Sequence, residues 1–222
     1  MKTIDSSLHH HVVPPDSREP GPHPSLILLH GRGADEEDLL GLADAFSPKL
    51  FVIGVRAPFP FANGGGYTWY DAASAGAPDP DMFRSSCDAL STFLDDASAS
   101  YPIDRKRIFL FGFSMGAAMA FALTLTRPHA FRGVLAHSGY IPEGTHLTVQ
   151  WDALRGVDFF IAHGTDDPVI PVMMARRARQ LLTAAKASLV YCEYPIGHQI
   201  SEQSLTDAAA WLNDRLHSQE KT

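Results

Sequence analysis

One serine in the chain sits where it could act as a nucleophile. Gly112-Phe113-Ser114-Met115-Gly116 follows the apolar run 107–111 and precedes a helix-prone run of small residues. A G-x-S-x-G stretch between a strand and a helix makes a sharp turn that exposes the serine above the sheet edge. The hydroxyl then lies at a helix N-terminus, whose dipole favours the negative charge that develops during acyl transfer. From its glycine and serine content the chain would show about 0.1 such matches by chance, so the flanking strand and helix carry the inference. A plain glycine turn with a capping serine would leave the pair of glycines unexplained.

A serine hydroxyl is a weak nucleophile without a base. A strand–turn–helix elbow calls for an acid and then a histidine further along the chain. Two segments supply them. His163-Gly164-Thr165-Asp166-Asp167-Pro168-Val169-Ile170-Pro171 follows an apolar run at 157–162, and Pro195-Ile196-Gly197-His198 follows another at 189–194. Both fall where a loop should leave the carboxyl end of a strand. Gly197 is expected to help the chain turn and expose His198. Asp166 and Asp167 are adjacent, and the residues alone do not choose between them. The developing oxyanion needs backbone N–H donors. Met115, after the serine, should give one. The loop Leu29-His30-Gly31-Arg32-Gly33-Ala34-Asp35 should give the other, its glycines allowing close approach. It lacks the lysine of a P-loop and the dinucleotide fingerprint.

These groups need a scaffold. Apolar runs at 25–29, 50–55, 107–111, 133–137, 157–163 and 189–194 are continuous, as in strands covered on both faces. Helical spacing occupies 83–99, 115–126, 172–186 and 201–218, with Ser201 placed to cap the last. Alternating strands and helices predict a mostly parallel three-layered α/β sheet. Residues 14–24, PPDSREPGPHP, read as a proline-rich connection after a short edge strand bearing His9, His10 and His11. Residues 56–81 carry prolines, Gly64-Gly65-Gly66 and the aromatics Tyr67, Trp69 and Tyr70. They read as a packed functional loop at the carboxyl edge.

The 222 residues suit a single domain spanning 1–222, about 1–24 of it edge strand and connection. A net charge of −7 with 18 scattered Lys and Arg argues against nucleic acid as partner. Arg176, Arg177 and Arg179 read as the solvated face of a helix. No run approaches a membrane span, no ligand spacing marks a metal site, and no cofactor is called for. Two cysteines outside any CxxC pair, and a start without a signal peptide, predict a cytoplasmic protein.

Together LLHGRGADEEDLL, GFSMGAAMA, HGTDDPVIP and PIGHQI resemble the bacterial carboxylesterase/phospholipase branch of the α/β-hydrolases, close to the acyl-protein thioesterases. The similarity spans roughly residues 8–216. It implies an α/β-hydrolase fold without a large lid domain and a catalytic set of Ser114, Asp167 and His198. Asp167 is preferred because it directly precedes the proline. The resemblance further implies oxyanion donors at Arg32 and Met115, and substrate contacts from Trp69 and Tyr70 of YTWYD and from Val169. Arg32 stands where the family often has an apolar residue, which would charge or narrow the pocket mouth. The implied activity is hydrolysis of short- to medium-chain carboxylic esters, the alternative being thioesterase or lysophospholipase action on long acyl chains. Many members form homodimers.

Overall fold

The computed structural model describes residues 3–16, 21–62 and 65–217. In chain order the elements are β1 (His10–Val13), β2 (His23–Leu29), β3 (Phe51–Val55), β4 (Phe59–Pro60), β5 (Tyr67–Thr68), β6 (Ala72–Ser74) and β7 (Ala77–Pro78). Then come α1 (Pro80–Ser100), β8 (Ile103–Phe113), α2 (Met115–Thr126), β9 (Gly133–His137), β10 (Asp158–Gly164), α3 (Val172–Ala184), β11 (Ser188–Tyr194) and α4 (Glu202–His217). Seven strands form one sheet in the order β1-β3-β2-β8-β9-β10-β11. All its pairings are parallel except β1 against β3.

Strand alternation divides the apolar side chains between two layers. Ile27, Leu29, Leu110, Phe159 and Ile161 face the layer with Phe83 and Phe93 of α1, nearly all of α2, and Ala175 and Leu182 of α3. Leu26, Leu28, Phe109, Phe111 and Phe160 face the other, with Leu39, Phe46 and Ala208, Trp211 and Leu212 of α4. Burying each such Leu or Phe contributes roughly 1.5–3 kcal/mol. This double coverage explains the continuous apolar runs of β2, β3, β8, β9 and β10. The run 189–194 is a correction, since β11 lies at the sheet edge and Tyr194 is its one buried residue. The central helix α2 is buried through all of 115–125, which is why its sequence is apolar around its whole circumference.

Helix α1 begins three residues before the periodicity suggests. Asp79 accepts a hydrogen bond from the Met82 N–H, and Pro80 occupies the first turn, where its missing N–H costs nothing. Ser201 Oγ likewise accepts from the Ser204 N–H at 3.1 Å and opens α4. On the edge strand His10 turns inward and meets the Tyr101 hydroxyl at 2.7 Å, while His9 and His11 stay exposed beside Glu36 and Glu37. The arginines of α3 are solvated but engaged: Arg176 bonds Glu193, Arg177 bonds Glu143, and Arg179 lies over the Tyr191 ring.

The segment 56–81, read above as a packed loop, is partly regular, and its last two residues already belong to α1. It holds two small hairpins, β4–β5 and β6–β7. The first is tied to the 30–34 loop: Gly33 N–H donates to Tyr67 O and Tyr67 N–H to Ala34 O, both at 2.8 Å. Gly66 sits at φ 75°, where a Cβ would fall 2.1 Å from Gly33 O. Part of the proline-rich connection (17–20) and Gly64 lie outside the described residues.

Candidate active site

The turn after β8 holds Ser114 at φ 56°, ψ −117°, an unusual backbone for a residue with a side chain. Its N–H donates to His137 O at 2.9 Å, fixing the turn to the neighbouring strand. Although Ser114 precedes the helix, its side chain makes no capping bond, so the hydroxyl is free for other work. Both flanking glycines have a steric cause. A Cβ on Gly112 would lie 2.4 Å from Gly116 O, and one on Gly116 would lie 1.9 Å from Leu29 O. Strands β2 and β8 and helix α2 meet too closely there for a methyl group.

The loops after β10 and β11 run side by side because their strands pair in parallel. Thr165 N–H donates to Tyr194 O at 2.8 Å and Asp166 N–H to Ile196 O at 3.1 Å. This docking brings His198 between Ser114 and Asp167. His198 Nε2 lies 2.9 Å from Ser114 Oγ, and His198 Nδ1 lies 2.7 Å from Asp167 Oδ2. The other Asp167 oxygen accepts the Val169 and Ile170 N–H groups, each at 2.8 Å. The carboxylate is thus an acceptor throughout, so the ring proton belongs on Nδ1 and the Nε2 lone pair faces the serine hydroxyl. Asp167 is buried; Asp166 is exposed, and Thr165 Oγ1 is its side-chain partner, at 3.4 Å. Gly197 is not required for this turn. It has no positive φ, and a Cβ would meet only ordinary contacts at 3.9 Å and beyond.

His163 adds a buried brace. Its Nε2–H donates to Ile170 O at 2.8 Å and lies 3.5 Å from Asp167 Oδ2. His10, His30, His137 and His163 are all buried, and burial holds each below the usual histidine value, His137 at about 4. The unfolded chain takes up protons near pH 6.5 that the folded chain refuses. Stability is therefore complete above that value and falls as the pH drops toward 4. His137 alone should remove about 2 kcal/mol between pH 7 and pH 5. The low-pKa carboxylates Glu36, Asp104, Glu143 and Glu193 lose their contribution mainly below about pH 5, so the histidines dominate this window. Urea unfolding at pH 7 and pH 5 checks this; equal stability at both would contradict it.

A cavity of about 260 Å³ opens on Ser114. Arg32, Met115 and Val169 line it, together with residues 72–75, Tyr140 and Ile170. Met115 opens α2, so its N–H has no carbonyl one turn earlier to bond. Two sequence-based site residues lie elsewhere. Trp69 and Tyr70 are fully buried and do not line the cavity. Trp69 Nε1–H donates to His30 O at 2.9 Å, and the Tyr70 hydroxyl bonds the Tyr140 hydroxyl at 2.9 Å, supporting the wall from behind. The wall residues 72–75 and Tyr140 escaped sequence reasoning. Their only signal was position, next to YTWYD and just past β9 on the carboxyl edge. Among the described residues no group of three or more His, Cys, Asp or Glu side chains could hold a metal ion. No described helix is long and apolar enough to cross a membrane.

A mostly parallel sheet with this elbow, and no large lid among the described residues, defines an α/β-hydrolase. The model of the phospholipase/carboxylesterase family matches residues 9–216, and the chain belongs to that family. It is 32% identical over 212 residues to acyl-protein thioesterase 1 of Eremothecium gossypii, covering 88% of this chain and 89% of the relative. It is 29% identical to acyl-protein thioesterase 1 of Debaryomyces hansenii over 214 residues, covering 86% and 91%. The crystal structure of the Bacillus cereus carboxylesterase superposes with a TM-score of 0.82 at 29% identity, covering 94% of each chain. The chain is a serine hydrolase.

Proposed function

We propose that this enzyme is a carboxylesterase for short- to medium-chain carboxylic esters, with Ser114 as nucleophile, His198 as base and then acid, and Asp167 orienting the imidazole. The observation that carries the chain-length choice is the cavity against Ser114. At about 260 Å³ it falls below the roughly 300–1,000 Å³ of pockets for drug-sized ligands. Arg32, exposed with its guanidinium 5.6 Å from the Phe61 ring centre, puts a charge at the mouth, which disfavours a long apolar chain there.

In this mechanism His198 Nε2 takes the hydroxyl proton as Ser114 Oγ attacks the ester carbonyl. The N–H groups of Arg32 and Met115 hold the oxyanion. The carbon–oxygen bond to the alcohol breaks, and the alcohol leaves with the proton from Nε2. Water, deprotonated by the same nitrogen, attacks the acyl-enzyme; the acid departs and Ser114 regains its proton. The free thiols Cys87 and Cys192 suit a reducing compartment such as the cytoplasm.

A second reading is action on long acyl chains, as a thioesterase or lysophospholipase. The fungal relatives, which are named acyl-protein thioesterases, favour it, as does Val169, which lines the cavity yet stays 47% exposed and would continue an apolar track outward. Hydrolysis of p-nitrophenyl esters from acetate to palmitate separates the two, with Ser114→Ala as control. The expected result is a serine-dependent optimum at short chains and a kcat/KM at palmitate lower by about tenfold or more, the equivalent of about 1.4 kcal/mol. An optimum at palmitate would establish the long-chain reading instead.

A further inference from the structure

We infer that His30 is the positioning residue of the oxyanion site: its ring fixes the Gly31–Arg32 peptide so that the Arg32 N–H is held toward the reacting carbonyl. The inference rests on the assignment of Arg32 N–H as an oxyanion donor. His30 ends β2's exit into the 30–34 loop and is 1% exposed. Both ring nitrogens are engaged. Ala57 N–H donates to Nε2 at 3.0 Å, and Nδ1 lies 2.6 Å from Gly31 O. A backbone N–H can only donate, so Nε2 must be the acceptor. The proton therefore sits on Nδ1 and is given to Gly31 O.

Gly31 O and the Arg32 N–H belong to one peptide unit. The Gly31–Arg32 bond is trans, and across a trans peptide the C=O and N–H point in opposite directions. Tethering the carbonyl inward to the imidazole aims the N–H outward. On that outer side Arg32 lines the cavity with Ser114. The peptide is close to the nucleophile, since a Cβ on Gly31 would lie 3.5 Å from Ser114 Cβ. Glycines at 31 and 33 leave the loop little stiffness of its own. The β4–β5 hairpin holds it at Gly33 and Ala34. Gly31 O has the imidazole at 2.6 Å and a longer bond from the Ala34 N–H at 3.4 Å, so the ring is the tighter hold on this peptide. The clamp is itself anchored. Trp69 Nε1–H donates to His30 O at 2.9 Å with the two rings 5.4 Å apart, and Ser86 Oγ donates to Trp69 O. This gives the buried Trp69 a task behind the site.

Two substitutions separate positioning from packing. The Asn side-chain amide nitrogen can occupy the place of His Nδ1, so His30→Asn keeps the donor to Gly31 O and loses the Ala57 acceptor. His30→Gln reaches the place of Nε2, so it keeps the Ala57 acceptor and loses the donor. With p-nitrophenyl acetate, His30→Gln should lower kcat by about 10²-fold, the scale of a lost oxyanion donor, with KM little changed. His30→Asn should retain kcat within about tenfold of wild type. Equal kcat losses in the two variants, or wild-type kcat in both, would overturn the inference. The wild-type protein gives a check that needs no variant to fold: ¹⁵N NMR should show the His30 proton on Nδ1 at neutral pH. A proton on Nε2 would overturn the clamp. Ser114→Ala is measured alongside. Full activity in Ser114→Ala would sink the hydrolytic assignment itself, and the positioning role with it. Serine-dependent turnover with an indifferent His30 would sink the positioning role alone.

Discussion

Replacing Ser114 with alanine should lower kcat on p-nitrophenyl acetate by about 10⁴–10⁶-fold while leaving the protein folded. The hydroxyl lies 2.9 Å from His198 Nε2, within reach to pass its proton to the imidazole. Fold and activity separate cleanly here because the side chain does not cap α2. The strained turn is kept by its backbone bond to His137 O and by Gly112 and Gly116, none of which the substitution touches. His198→Ala should cost about as much. The double variant should be little worse than either single one, because the base is useful only to the nucleophile it deprotonates. Kinetics on the three variants, with thermal melts to establish folding, test this. A loss of less than tenfold in Ser114→Ala would remove the serine from the mechanism.

The neighbouring aspartates should behave in opposite ways. Asp167→Ala is expected to lower kcat by about 10³–10⁴-fold, since His198 then loses the partner that fixes its tautomer and steadies its charged form. It should also destabilise the fold by roughly 1–3 kcal/mol, because the Val169 and Ile170 N–H groups lose their common acceptor. Asp166→Ala should stay within a few-fold of wild type and within about 0.5 kcal/mol in stability, as its carboxylate is exposed and meets a neighbouring threonine only. Parallel kcat and urea-unfolding measurements decide the matter. A larger kcat loss at Asp166 than at Asp167 would reverse the assignment of the acid.

The scaffold was legible because every central strand is buried on both faces. Runs such as LILL and FLF then become continuous, and each helix carries its own period. The elbow, the acid loop and the histidine loop were legible because each follows a parallel strand, so its place on the carboxyl edge is set by topology; β11, before the histidine loop, is an edge strand and only partly covered. The choice between Asp166 and Asp167 was not available from spacing. Adjacent side chains diverge, and it is the pairing of Gly164–Asp166 with the Tyr194–Ile196 backbone that presents Asp167 to His198. Trp69 and Tyr70 misled because large aromatics fill cores as readily as pockets. Their polar atoms find partners in His30 O and the Tyr140 hydroxyl, so burial costs them nothing. The small strands β4–β7 are two or three residues long, too short for any periodicity to register. The alanines at 72, 73 and 75 carry no chemical signal, though they line the cavity with Tyr140.

The most direct test of the central claim is to trap the acyl-enzyme. The wild-type protein is mixed with p-nitrophenyl acetate, quenched in acid within the first turnover, digested, and read by mass spectrometry. The account predicts a burst of p-nitrophenol matching the enzyme concentration, with the acetyl group on Ser114. Turnover without an acyl-enzyme, or acetyl on a different residue whose replacement abolishes activity, would contradict it.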